Sequence, residues 1–374
     1  MQGVLTEEQV YLRKTVGELL KDRAARSSVL EVADRPDYDR ELWTLMAQQV
    51  GLHGLAIPEA YGGAGWGPVE LAVVFEEMGA VLLCAPFFAS VALAANALLA
   101  SGDEPMCAEY LPGIASGDRI GSLALVEGSG SWGEEGVQLS ANWAGGSWQL
   151  TGRKTYVIDG CAADFLVVAA RSEAGVSLFV VDAVAPGVNR EPLRTLDPTR
   201  KQATVTFTNV SARLLGEEGV GWHALERTLN LAAIYLACEQ VGGAARSLEI
   251  AVDYAQSRRQ FNRPIGSFQA IKHKCADMLV AVELARSAAL FAAGAAAESR
   301  HDVPVLASLA KAVCSESFVR CAAETIQIHG GIGFTWEHPA QLYFKRARSS
   351  EVLLGTPAYH RKLLAARGAD KLPL

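Results

Sequence analysis

Residues Tyr254–Met278, YAQSRRQFNRPIGSFQAIKHKCADM, join two long apolar periodicities through a cationic break. Upstream, Leu225, Leu229, Ala232, Leu236, Leu248, Val252 and Ala255 recur at steps of three and four, which keeps one apolar stripe on a helix. Pro264 and Gly266 interrupt the pattern, and Phe268, Ile271, Cys275, Met278, Val282, Ala285 and Ala289 restart it. The spacing predicts two long helices side by side with Arg258, Arg259 and Phe261 at their joint. Either arginine alone reads as a solvated charge. Both together, beside an aromatic and a proline, make a corner suited to something anionic and flat.

Outward from that corner, the helical period holds to the C-terminus. Pro304 marks a helix start, with Leu306, Leu309 and Val313 following, and this helix runs into Gln327–Phe334, QIHGGIGF. A glycine pair after a helix is commonly only a cap. It is no Rossmann fingerprint, because a helix rather than a strand precedes it. Its functional reading is that Gly330, Gly331 and Gly333 admit a dinucleotide close to the backbone while Gln327 hydrogen-bonds to it. Between about residues 119 and 218 the period shortens. Trp148–Ile158, Phe165–Ala170, Ser177–Asp182 and Ala203–Val210 read as strands, and in the last of these Ala203, Val205 and Phe207 alternate with Thr204, Thr206 and Thr208 as if one face were wet. N-terminal to that, Thr6 and Gln9 form a capping box after Leu5, a second helix runs from about Tyr38 to Val50, and the glycines Gly62–Gly67 form a loop.

Composition narrows the function. With 41 acidic against 34 basic residues the net charge is -7, which argues against a nucleic-acid or anionic-membrane surface. Half of the 374 residues are apolar, ample for sizeable cores. Seven cysteines without a C-x-x-C pair read as reduced, mostly core residues of an intracellular protein. The opening MQGVLTEEQV carries no secretory pattern, and Phe87–Ala100 is too short to span a bilayer, so a soluble cytoplasmic protein is expected. His273, His329, His338 and His360 lack metal-ligand spacing, and no metal site is expected. Trp336 and Tyr343 read as core.

Residues 258–269 resemble the R-x-x-F-G-x-P-I-x-x-F-Q segment of the acyl-CoA dehydrogenase family, which holds the pyrophosphate and adenine end of FAD. Ile57–Gly65, IPEAYGGAG, is similar to that family's I-P-E-x-Y-G-G-x-G loop, and Gln327–Gly333 to its Q-x-x-G-G-x-G segment. The resemblance covers nearly the whole chain. It implies an α+β protein with the acyl-CoA dehydrogenase fold: a helical N-terminal domain (1–118), a middle β-barrel or sandwich domain (119–218) and a C-terminal four-helix bundle (219–374). It implies FAD-dependent α,β-dehydrogenation of an acyl-CoA thioester, with an electron-transferring flavoprotein as acceptor. The cofactor contacts it carries over are Arg258, Gln260, Phe261, Ile265, Phe268, Gln269, Gln327, Gly330, Gly331 and Thr356.

Departures from the family pattern are equally informative. The glutamate that serves most members as base precedes Gly-Thr, and here VLLGTPAYHR places Leu354 there. Other members keep the base near Ala232, where no carboxylate stands, and Ala233 occupies a position where many keep an arginine. Glu239 lies two turns further on, roughly 10 Å away, with an ion-pair reading beside that of a relocated base. The hydroxyls that hydrogen-bond the flavin ring are replaced at Val126 and Ile158. In the family each FAD lies between two subunits, one giving the base and ring contacts, the other the arginine corner and glutamine-glycine turn. This chain keeps the second set. A heteromeric dehydrogenase is therefore expected, similar to bacterial paired subunits acting on steroid side-chain thioesters. A homotetramer, a self-sufficient flavoenzyme with a relocated base or monooxygenase chemistry, and a non-catalytic structural subunit stay open.

Overall fold

A computed structural model describes residues 5–26, 31 and 38–368. Residues 1–4, part of the stretch read against a secretory signal, lie outside the described residues. In chain order the helices are α1 (Glu7–Arg26), α2 (Arg40–Thr44), α3 (Pro68–Ala80), α4 (Asn96–Ser101), α5 (Glu104–Ala115), α6 (Gly221–Ser257), α7 (Gln269–Ala297), α8 (Val303–His329), α9 (Ala340–Val352) and α10 (Pro357–Arg367). The chain forms two compact units, one of Met1–Asp34, Pro68–Leu83 and Ala233–Leu374, the other of Arg35–Gly67 and Cys84–Ala232.

The first unit is helical. At the start of α1, Thr6 N–H donates to Gln9 Oε1 (3.0 Å) and Gln9 N–H to Thr6 Oγ1 (3.2 Å), the reciprocal pair of a capping box. Its core joins Ala244, Ala251 and Ala255 of α6 to Met278, Ala281 and Val282 of α7 and to Phe318, Cys321 and Ala322 of α8. Small residues let the helix backbones meet. A Cβ on Gly79 would stand 1.9 Å from the Glu239 carbonyl oxygen, and one on Gly242 would stand 1.8 Å from that of Glu76. Thus α3 and α6 cross in direct backbone contact. The α7 window that is apolar and long enough to cross a membrane has a mean hydropathy of 1.5, but 44% of it is buried within the protein, and its buried stripe belongs to the core just described.

The second unit carries a seven-stranded sheet: β1 (Gly121–Ala124), β2 (Ser140–Ala144), β3 (Ser147–Ile158), β4 (Phe165–Ser172), β5 (Gly175–Asp182), β6 (Val188–Pro192) and β7 (Gln202–Leu215). Pairing runs β4–β2–β3–β7–β5 and returns from β5 to β4, so these strands close on themselves and leave β1 and β6 attached outside the circuit. The alternation expected in β7 is incomplete. Ala203, Val205 and Phe207 are buried, but so is Thr204, whose hydroxyl lies 3.5 Å from that of Thr155 on β3; only Thr208 of the three threonines is exposed. In this unit α2 is shorter than expected and passes into a π-helical turn at Leu45–Gln49.

Other expectations are also corrected. Trp336 is 69% exposed rather than core, whereas Tyr343 is buried and donates its hydroxyl to the Ala80 carbonyl at 2.6 Å. Leu309 is exposed, and Cys161 is an exposed thiol in the turn after β3. Leu309 follows the helical period but falls on the wet flank of α8.

Candidate functional site

The arginine corner lies wholly in the helical unit. Where α6 ends, Arg258 N–H donates to the Tyr254 carbonyl at 2.8 Å. The chain then makes a hairpin, β8 (Arg259–Gln260) against β9 (Arg263–Pro264), with Phe261 and Asn262 at its tip at φ +53° and +62°. Two successive left-handed residues are the geometry of a type I′ turn, so the break is a small hairpin and not an irregular loop. Ile265 N–H donates to Arg258 O at 2.8 Å and closes its base, and Ile265–Ser267 forms one 3-10 turn before Phe268 at the start of α7.

The side chains here divide by their partners. Arg263 stacks its guanidinium over Phe268, 4.0 Å from the ring centroid; Arg259 donates to Asn262 O at 3.3 Å and Gln260 to Arg259 O at 3.0 Å. Arg258, Gln269 and Gln327 are exposed, and their side chains make no hydrogen bond or ion pair with any described residue. Phe261 is 85% exposed. An unengaged guanidinium, two unengaged amides and a wet aromatic ring could hold an anionic dinucleotide, so this half fits FAD.

The glycine turn follows α8. Gly330 adopts φ +62° with ψ −139°, a region open essentially to glycine alone. A Cβ on Gly330 or Gly331 would meet nothing within 4 Å, whereas one on Gly333 would stand 2.9 Å from His329 Cβ. Close approach from outside is therefore possible at the first two glycines, while the third is required by packing. The corner and the turn are tied together at their bases, because Tyr254 stacks on His329 with ring centroids 4.1 Å apart.

Thr356 and Leu354 belong to a separate place. Lys311 of α8 donates to the carbonyls of Glu351 and Gly355 (both 3.2 Å) and to Ser315 Oγ (2.9 Å). Gln327 lies sixteen residues further along the same helix, roughly 24 Å at about 1.5 Å per residue. Burial pushes the Lys311 ammonium down to about 7. Leu354 is buried at φ +58°, and its carbonyl accepts from His360 Nε2 at 3.0 Å. The Thr356 hydroxyl is occupied in capping α10 through Tyr359 N–H at 3.2 Å. The position of the usual base is thus rigidly held and apolar.

Glu239 is held in a buried ion pair. Its carboxylate accepts from Arg346 Nη1 at 2.9 Å, both side chains are buried, and Arg346 Nη2 also reaches the Leu83 carbonyl at 3.3 Å. In the sheet unit, Val126 and Ile158 are buried aliphatics and Tyr156 is half exposed. Beside them Glu127 Oε1 accepts from Lys154 Nζ (2.6 Å) and from the N–H groups of Gln138 and Leu139 (2.8 and 2.9 Å), so this carboxylate is tied to its own unit. Among the described residues no group of three His, Cys, Asp or Glu side chains could hold a metal ion.

Residues 6–118 match the family described as acyl-CoA dehydrogenase, N-terminal domain, and residues 219–369 match acyl-CoA dehydrogenase, C-terminal domain. The chain belongs to the acyl-CoA dehydrogenase family, a class of FAD-dependent oxidoreductases. It is similar to acyl-CoA dehydrogenase IpdE2 of Mycobacterium tuberculosis, 37% identical over 352 residues that cover 94% of each chain. Among solved structures it is similar to the ChsE4-ChsE5 complex of Mycobacterium tuberculosis (TM-score 0.88, 29% identity, 100% of both chains). It also resembles a variant of the Tcur3481-Tcur3483 steroid ACAD (TM-score 0.88, 32% identity, 98% of this chain and 99% of that one).

Proposed function

We propose that this chain is the FAD-clamping, base-lacking subunit of a heteromeric acyl-CoA dehydrogenase acting on a steroid-derived thioester. One observation carries the reading: the dinucleotide-facing donors Arg258, Gln269 and Gln327 are unengaged, whereas Leu354 stands where the base belongs and Glu239 is locked to Arg346. The flavin, when bound, accepts hydride from the carbon β to the thioester. This chain's residues would anchor the cofactor's charged end. The partner, a homologous chain, would supply the carboxylate that removes the α proton. Two solved relatives, the ChsE4-ChsE5 complex and the Tcur3481-Tcur3483 steroid ACAD, are each named for two chains, which supports the heteromer, and the second supports the substrate class. An electron-transferring flavoprotein would take the electrons onward.

The test is flavin content. Purified alone, the chain should be colourless or poorly occupied, and co-purified with a homologous base-bearing subunit it should carry about one flavin per pair. Arg258→Ala should weaken retention in the pair by about 1.5–3 kcal/mol, the size of a charge-assisted hydrogen bond. Full occupancy of the lone chain would favour a self-sufficient enzyme, and unchanged flavin in the Arg258→Ala pair would favour a purely structural subunit.

A further inference from the structure

Three rings that the proposed chemistry does not use stand at the base of the cofactor corner. Tyr254, one turn before Arg258 on α6, stacks on His329 at 4.1 Å with an interplanar angle of 22°, and His329 in turn meets His338 at 4.4 Å. The two histidines bracket residues 330–337, the loop that carries the glycine turn. Within that loop Gly330–Phe334 forms a 3-10 turn, after which Thr335 N–H and Oγ1 reach Ile332 O and His338 N–H reaches Thr335 O at 3.3 Å. Its ends are joined by the ring contact.

The hydrogen bonds define complementary neutral tautomers. His329 Nδ1–H donates to the Thr325 carbonyl at 2.7 Å, which leaves Nε2 without a proton. His338 Nδ1 accepts from Ala340 N–H at 3.2 Å, so its proton is on Nε2. Protonating His338 removes that acceptor, and charging both rings sets two cations about 4.4 Å apart. We infer that the Tyr254–His329–His338 column is a latch that sets the glycine turn in register with the arginine corner and opens when the two imidazoles become charged. Geometry carries this, and burial adds to it by lowering both imidazole pKa values, that of His338 also through His329. The charged groups closest in sequence to the three rings are Asp253 and Arg258 on either side of Tyr254, Glu337 beside His338, and Glu249, Glu324 and Lys345 on neighbouring turns of α6, α8 and α9, the last with its ammonium over the Trp336 ring at 3.9 Å. Tyr254 is the only other titratable ring in the column. These three residues are positioning residues, since none is proposed to touch cofactor.

The role as a cofactor latch rests on the clamp proposed above, so the experiment has two arms. In the lone chain, histidine NMR titration should place both midpoints below the free imidazole value of about 6.5. His329→Phe, which keeps a ring in the stack and removes its charge, should raise the His338 midpoint. The protection of amides in residues 331–337, taken against the intrinsic exchange rate at each pH, should fall as pH falls through those midpoints, and His338→Ala should lower it by about two- to tenfold at pH 8, the scale of one lost ring pair. His338→Phe should retain protection at pH 8 and lose most of the acid response. Independent midpoints, or protection indifferent to pH and to His338→Ala, would overturn the latch. In the flavin-bearing pair, the same acid range should release FAD faster. A latch that works in the lone chain without altering flavin release, in a pair whose flavin retention Arg258→Ala also leaves unchanged, would overturn the clamp reading while leaving the latch standing.

Discussion

His53 sits between Trp43 and Phe87, with ring centroids at 4.0 and 5.2 Å and no exposure to solvent. Burial pushes its imidazole down to about 3, against about 6.5 in an unfolded chain. The sign follows from proton counting: between those values the unfolded chain binds a proton that the folded chain refuses, so stability falls as pH is lowered through this window. The slope is at most about 1.4 kcal/mol per pH unit. His53→Phe should flatten the fall in the urea midpoint between pH 6.5 and 4, whatever it does to absolute stability. At this scale the sequence is an uneven guide. Arg258, Gln269 and Gln327 stand out in the sequence because their motif spacing is short and local, and their part in holding a cofactor is the proposal made above. The Glu239–Arg346 pair joins residues 107 positions apart, and no local pattern reveals such a partner. The same is true of Tyr254 under His329, and of Lys311 holding the turn at Leu354.

Gly79 and Gly242 show what governs the helices. Each faces a backbone carbonyl of the opposite helix at a distance no Cβ can occupy, so Gly242→Ala must push α3 and α6 apart. A loss of about 1–3 kcal/mol is expected, read as a lowered thermal midpoint. Gly294, inside α7, supplies the control, because a Cβ there would meet nothing within 4 Å. Gly294→Ala should be neutral or stabilising by up to about 1 kcal/mol through helix propensity. The long helices were readable from their period. The short strands β1 and β6 were not: Gly121–Ala124 is buried at every position and shows no alternation, and Val188–Pro192 is polar and ends in proline. Thr204 escaped for a related reason, since a closed sheet buries positions that an open one would leave wet.

For the whole molecule, the order helical, sheet, helical was visible in the changing period, but the division into units was not. Residues 68–83 fold with the C-terminal helices and 84–232 with the sheet, because the backbone contact at Gly79 and Gly242 draws α3 to α6. Sequence distance gives no hint of that. Phe261, Phe334 and Trp336 are 85%, 76% and 69% exposed. Rings left this wet make a freshly synthesised chain adhesive, since each seeks any apolar surface on offer. A fluorescent hydrophobic probe should therefore light up on the solitary polypeptide and dim when its companion is added, and production of the two from one message should yield far less precipitate than production of this one by itself.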